Sequence, residues 1–248
     1  MVNELLLLAG NNIPFYEAQI TIHNPSIREI GFIGEDSFYG GCGALNFSKE
    51  LLLEQDRINL EHLNDFEVMM MIMDNKNPEM RKNRVNALRV LTLLFPEYQI
   101  KFTRKSIDLI KGKEEVHSIN NDNYSVFKET LVAMFCLKGR GNESEPEYNP
   151  SGKAAMEIAK KFTERRKKLS ELSEQKGEQK IAILSRYASI LSIGLKLDLN
   201  KVLDYTVYQL FDQYDRFELE EQFDIHLRAR LAGARDLEEV DNWKKDIH

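Results

Sequence analysis

Apolar residues recur with two different periods along this chain, and the change between them suggests where its parts divide. Ala18, Ile20 and Ile22 alternate with Gln19, Thr21 and His23, the period of two that half-buries a strand. A helix is predicted next, with Asn24 as N-cap, Pro25 at the first helical position, and Ile27 and Ile30 three apart before Gly31 and Gly34 weaken it. Residues 38–46 contain Gly40-Gly41-Cys42-Gly43 and read as too flexible for a helix interior. Helical signals return with Ser48 as a cap before residues 51–53. Asn64 and Glu67 form a capping-box-like start to a segment through Met73, and Asn77-Pro78 opens another. Behind Pro78, residues Val85, Leu88, Leu91 and Phe95 predict one apolar face of a helix closed by Pro96. Tyr98, Ile100 and Phe102 restore the strand period, and residues 107–110 and 115–119 flank Gly112 as a hairpin. A helix capped near Asn123 carries Phe127, Leu131 and Met134 or Phe135 inward.

Residues 138–149 hold glycine and proline breaks and almost no apolar side chains, which reads as a linker. Beyond it every apolar run is helical: Ile158, Phe162, Leu169 and Leu172; then Ile181, Leu184, Ala188 and Leu191 ending near Gly194. A third runs from an Asn200 cap through Leu203, Val207, Leu210, Phe211 and Tyr214; a fourth through Phe223, Leu227 and Leu231 to Gly233. Leu237, Val240 and Trp243 make a short last one. The expected fold is an α+β domain at 1–137, a linker at 138–149 and an all-α helical bundle at 150–248, mainly helical overall.

Length and composition fit that division. The chain has 248 residues, 42% apolar and 30% charged, with a formal charge of −6. This is a soluble globular profile and excludes a globally basic nucleic-acid binder. The first residues carry an apolar run too short for a membrane span and no basic leader, so neither a signal peptide nor a membrane anchor is expected. Cys42 and Cys136 lie far apart without metal spacing and read as reduced thiols of a cytoplasmic protein.

Catalytic patterns are incomplete. His23, His62, His117, His226 and His248 have no His or Cys at ligand spacing, so no metal is expected. The glycine run lacks the third glycine of a dinucleotide fingerprint, since Asn46 stands there; the run Asn149-Pro150-Ser151-Gly152-Lys153 lacks the leading glycine and the magnesium-binding hydroxyl of a phosphate loop. No cofactor is expected, and the chain reads as non-enzymatic. On a helix Lys161, Arg165 and Lys168 share a face, but Glu157, Glu164, Glu171 and Glu174 interleave as on an ion-paired solvated surface, which is the first reading; contact with an acidic partner protein comes second and nucleic acid last. The acidic stretch Asp212, Asp215, Glu218, Glu220, Glu221 and Asp224 is expected to face outward, complementary to the basic helix of another copy or of a partner. Met69, Met70, Met71 and Met73 cluster; methionine suits surfaces that grip varied apolar segments, and equally Met69, Met70 and Met73 with Phe66 would fill a core.

Three stretches resemble proteins of a known kind. The opening 20–30, followed by Ile33-Gly34-Glu35 and Phe38, is similar to a strand-then-helix start in proteins from tail modules of long-tailed phages and prophages. Tyr148-Asn149-Pro150 with Ala154-Ala155 and Ile158-Ala159 resembles the mid-chain segment of the same group, and residues 208–217 with Ala232-Gly233-Ala234 and Trp243 resemble its end. The resemblance implies a tail assembly chaperone, a non-catalytic factor in the host cytoplasm that coats the tape-measure protein until tube subunits replace it. A structural component of the tail, neck or baseplate is the alternative. The implied partners are tape-measure or other tail proteins and further copies of the chain. Met69, Met70, Met73, Tyr205, Tyr208, Phe211 and Tyr214 would supply apolar contact, and Arg165 and Lys168 charge.

Overall fold

The computed structural model describes residues 2–47, 62–74, 78–112, 115–137, 182–233 and 244. Met1–Leu137 and Ile183–His248 form one compact unit and Lys138–Ala182 a second. Compactness thus divides the chain differently from the expected domains 1–137 and 150–248. Periodicity shows that a face is buried but not against what, and the helices after residue 182 share a core with the N-terminal part. The linker, the helix from Ile158 to Leu172 and the terminal run through Trp243 lie outside the described residues.

The N-terminal part is α+β, and the described C-terminal part is helical. It opens with α1 (Glu4–Leu8), then an antiparallel ribbon of β1 (Ile13–Phe15) and β2 (Ile20–Ile22) in which Pro14 faces Thr21. The strand ends are buried and the middle residues exposed, as period two requires. Helix α2 (Ile27–Ile33) starts later than expected: its cap is Ser26, not Asn24. Glu29 N donates to Ser26 Oγ at 3.3 Å while Glu29 Oε2 accepts from Ser26 N at 2.8 Å, a reciprocal capping box. Asn24 is instead buried and donates to the Asn11 carbonyl.

Helix α3 (Glu35–Leu45) runs straight through the glycines expected to form a loop. Gly41 serves close packing rather than flexibility, because it is pressed against the Asn86 backbone. That contact also corrects the face of the helix containing Asn86. After α4 (Asp65–Asp74), helix α5 (Pro78–Leu94) buries Asn86, Ala87, Val90, Leu91 and Leu94 and leaves Val85 and Leu88 largely exposed. A buried asparagine on the α3 side shifts the contact stripe in a way hydrophobicity alone does not show.

Strands β3 (Gln99–Phe102), β4 (Ser106–Lys111) and β5 (Glu115–Asn120) form an antiparallel sheet, with Lys111 paired to Glu115 around Gly112 at φ 67°. Helix α6 (Tyr124–Phe135) buries Phe127, Leu131, Met134 and Phe135 together. Asn123 precedes it without capping it. Its side chain binds Asn120 N and the Ser118 carbonyl, each at 2.9 Å.

Helix α7 (Ile183–Gly194) buries Leu184, Ala188 and Leu191, as their spacing predicts. Leu184 N donates to Glu35 Oε1 at 2.9 Å, which satisfies one orphan amide of its first turn. The segment predicted as one helix from Asn200 is broken: α8 (Leu199–Leu203), capped by Asp198, is followed by α9 (Val207–Leu231), capped by Thr206. Phe223, Leu227 and Leu231 continue α9 rather than starting another helix, and its last turn exposes Leu231. Asp212 departs from the outward-facing acidic stretch, since it is buried and pairs with Arg216 at 3.2 Å. Ser26 and Thr206 form an isolated antiparallel bridge, and Arg28 Nε donates to Asp204 at 2.8 Å, so α2 and α9 begin at one place. One apolar cluster, from Leu7 through Phe38, Leu94 and Phe127 to Leu210, joins these elements; each large side chain in it contributes about 1.5–3 kcal/mol by burial. Among the described residues no helix is long and apolar enough to cross a membrane.

Candidate functional site

The methionine-bearing helix α4 begins where its sequence places the start. Asn64 N donates to Glu67 Oε2 at 3.1 Å and Glu67 N to Asn64 Oδ1 at 2.9 Å. Phe66, Met69 and Met73, spaced three and four apart, then fall on the inner face and are buried. Phe66 packs edge-on against Tyr124 at 5.2 Å, and Tyr124 Oη donates to the Leu45 carbonyl at 2.8 Å. Burial pushes that phenol's pKa up, so it stays a neutral donor. Lys128 Nζ meets Asp65 Oδ2 at 2.7 Å and ties the start of α4 to α6.

With the inner face committed, Glu67, Met70 and Met71 are left for the outer one. Met70 is half-buried and Met71 is 48% exposed. They open onto a groove of about 940 Å³. Phe66, Met73 and Phe102 are among its apolar lining residues, with the Arg84 guanidinium 5.4 Å from the Phe102 ring centroid. Two turns complete it: residues 103–105 between β3 and β4, and residues 120–122 between β5 and α6. Both turns are stapled. Thr103 Oγ1 accepts from Ser106 N at 3.0 Å and Lys105 N at 3.2 Å; Asn120 Oδ1 accepts from Asp122 N at 2.9 Å.

Not every residue singled out from the sequence reaches this groove. Met69 is wholly buried and presents no surface; Met70 and Met73 line the groove, together with Met71. The aromatic group lies elsewhere and is occupied. Tyr214 stacks on Tyr187 at 3.8 Å with an interplanar angle of 1°, and Phe211 meets Tyr187 edge-on at 5.4 Å. Tyr208 is buried and donates to Glu4 Oε1 at 3.2 Å, and the Tyr205 carbonyl accepts from Ile27 N. The Tyr187 contacts fasten α7 to α9, and the Tyr208 hydroxyl ties α9 to α1. Arg165 and Lys168 lie outside the described residues. The signal that identifies Met71 is its offset: with Phe66, Met69 and Met73 inward, positions 67 and 71 share the opposite face.

A second cavity, about 670 Å³, is lined by Pro14, Tyr16, His23, Pro96 and Tyr98 among others. The ring nitrogens of His23 lie 3.1 Å from Asn12 Oδ1 and 3.0 Å from Glu29 Oε1, so the imidazole is held by neighbours on both sides. No three His, Cys, Asp or Glu side chains among the described residues are grouped to hold a metal. Cys42 is buried in the core, which pushes its thiol pKa up and makes it unreactive. What the larger groove offers is apolar contact edged with charge.

Residues 175–248, less than a third of the chain, match a family described as the YomV second domain. YomV is a Bacillus phage/prophage protein. No curated protein and no solved structure matches the chain. The matched stretch includes α7, α8 and α9, and over it the chain is similar to that family.

Proposed function

We propose that this chain is a non-catalytic phage tail assembly factor that binds the tape-measure protein in the host cytoplasm during tail morphogenesis. The phage relationship of its last part supports the setting. The observation that carries the reading is the exposure of Met71 beside Met70 on a groove that Phe102 also lines. Thioether side chains are unbranched and polarizable, so such a surface accommodates different apolar residues in succession, which a factor covering a long helical client requires. The surrounding scaffold is fixed by the α4 capping box and the two stapled turns, so little ordering cost falls on the protein's side.

Co-expression with the tape-measure protein encoded by the same phage tests this. Met71→Asp places a carboxylate at an exposed position and should abolish co-purification while the chain stays folded. Unchanged co-purification would remove the groove from the account, and stoichiometric recovery of the chain in purified virions would replace an assembly factor with a structural component.

A further inference from the structure

Charge around the groove differs from charge over the chain, which is −6 in total. Glu67 has its Oε2 engaged by Asn64 N in the capping box, and Arg84 covers Phe102. Arg104 and Lys105 are exposed and make no side-chain ion pair among the described residues. They are adjacent on a turn whose backbone is pinned by Thr103 and Ser106, with Thr103 N also donating to the Ser106 carbonyl at 2.9 Å. Asp122 stands exposed on the other turn.

From this arrangement we infer that the groove selects an acidic amphipathic segment, whose apolar residues enter between Met71 and Phe102 while carboxylates along one edge meet Arg104 and Lys105. The inference deepens the assembly-factor reading and rests on it. A guanidinium and an ammonium side by side on a rigid turn attract carboxylates and repel lysine-rich segments, and Arg104 can take a carboxylate through two N–H groups at once. Asp122 fixes the orientation: the acidic edge lies toward residues 103–105, and a neutral or basic edge lies toward residues 120–122. Nucleic acid is disfavoured, because the acids Glu67 and Asp122 also line the groove and repel phosphates.

Fluorescence anisotropy with three labelled probes tests the rule on the full chain. One is a helical peptide with leucines at spacings of three and four and glutamates between them; the second has lysines in place of the glutamates; the third is a single-stranded oligodeoxynucleotide. The glutamate peptide should bind about ten-fold more tightly than its lysine twin, the magnitude expected of two exposed pairs turned from attraction to repulsion. That advantage should shrink at high salt, vanish in R104A/K105A and invert in R104E/K105E. Equal affinities, a preference for the lysine peptide, no binding of either peptide, or tightest binding of the oligonucleotide overturns the inference. Tape-measure capture that Met71→Asp abolishes, together with equal peptide affinities, rejects the charge rule and leaves the assembly reading in place. Capture indifferent to Met71→Asp rejects the assembly reading itself.

Discussion

Gly41 and Asn86 meet so closely that a Cβ on the glycine would stand 2.4 Å from the Asn86 carbonyl oxygen and 2.5 Å from Val90 Cγ2. The neighbour is backbone and cannot turn aside as a side-chain tip would. Gly41→Ala must therefore push α3 and α5 apart, at a cost of about 1–3 kcal/mol or more. Gly43, two residues on in the same helix, is exposed and has nothing within 4 Å of its absent Cβ. There alanine removes only the entropic penalty of glycine, and Gly43→Ala should stabilise by up to about 1 kcal/mol. Urea unfolding of both variants checks the opposite signs.

The start of α9 offers a second, smaller test. Thr206 accepts from Gln209 N at 3.3 Å, and Gln209 Oε1 accepts from Thr206 N at 2.9 Å. Thr206→Ala should cost about 1 kcal/mol, and Thr206→Ser, which keeps the oxygen, much less. Equal losses in chemical denaturation would mean that the methyl group, not the cap, matters.

Stability should also depend on the charge of Glu29. Burial pushes its pKa up, but hydrogen bonds from the backbone and hydroxyl of Ser26 and from His23, with the attraction of His23, outweigh burial and hold it below the ordinary carboxylate value of 4.5. The folded state therefore favours the ionised form. This contribution is present above the unfolded value and lost as pH falls through the folded one. Glu29→Gln keeps an acceptor but no charge, so the stability gap between it and the wild type should close on acidification below about pH 5. Melting temperatures taken across that range follow the gap; one that widens toward acid would contradict the assignment.

Signals carried by neighbouring residues were legible in the sequence, and signals set by distant contacts were not. The Asn64 and Glu67 box, the 98–102 alternation and the turn at Gly112 are local, and the structure has all three. The glycines at 40, 41 and 43 read as a loop because sequence shows their conformational freedom but not the helix that presses on Gly41. Buried Asn86 misdirects a reading by polarity for the same reason, since what it packs against lies on another helix. The site was half legible. Four methionines in five positions mark α4, but which of them faces outward follows only from where Phe66, Met69 and Met73 are buried. Arg104 and Lys105 carry no such signal, because only the folded sheet brings their turn to the same groove as α4.

Photocrosslinking from position 71 tests most directly whether the groove seats a client. A photoreactive amino acid in place of Met71, and in a control chain in place of Phe32, which is 85% exposed and outside the groove, would be irradiated during co-expression with the tape-measure protein. The account predicts a covalent adduct with the tape-measure protein from position 71 and little from position 32. Adducts of equal yield from both positions, or none from position 71, would contradict it.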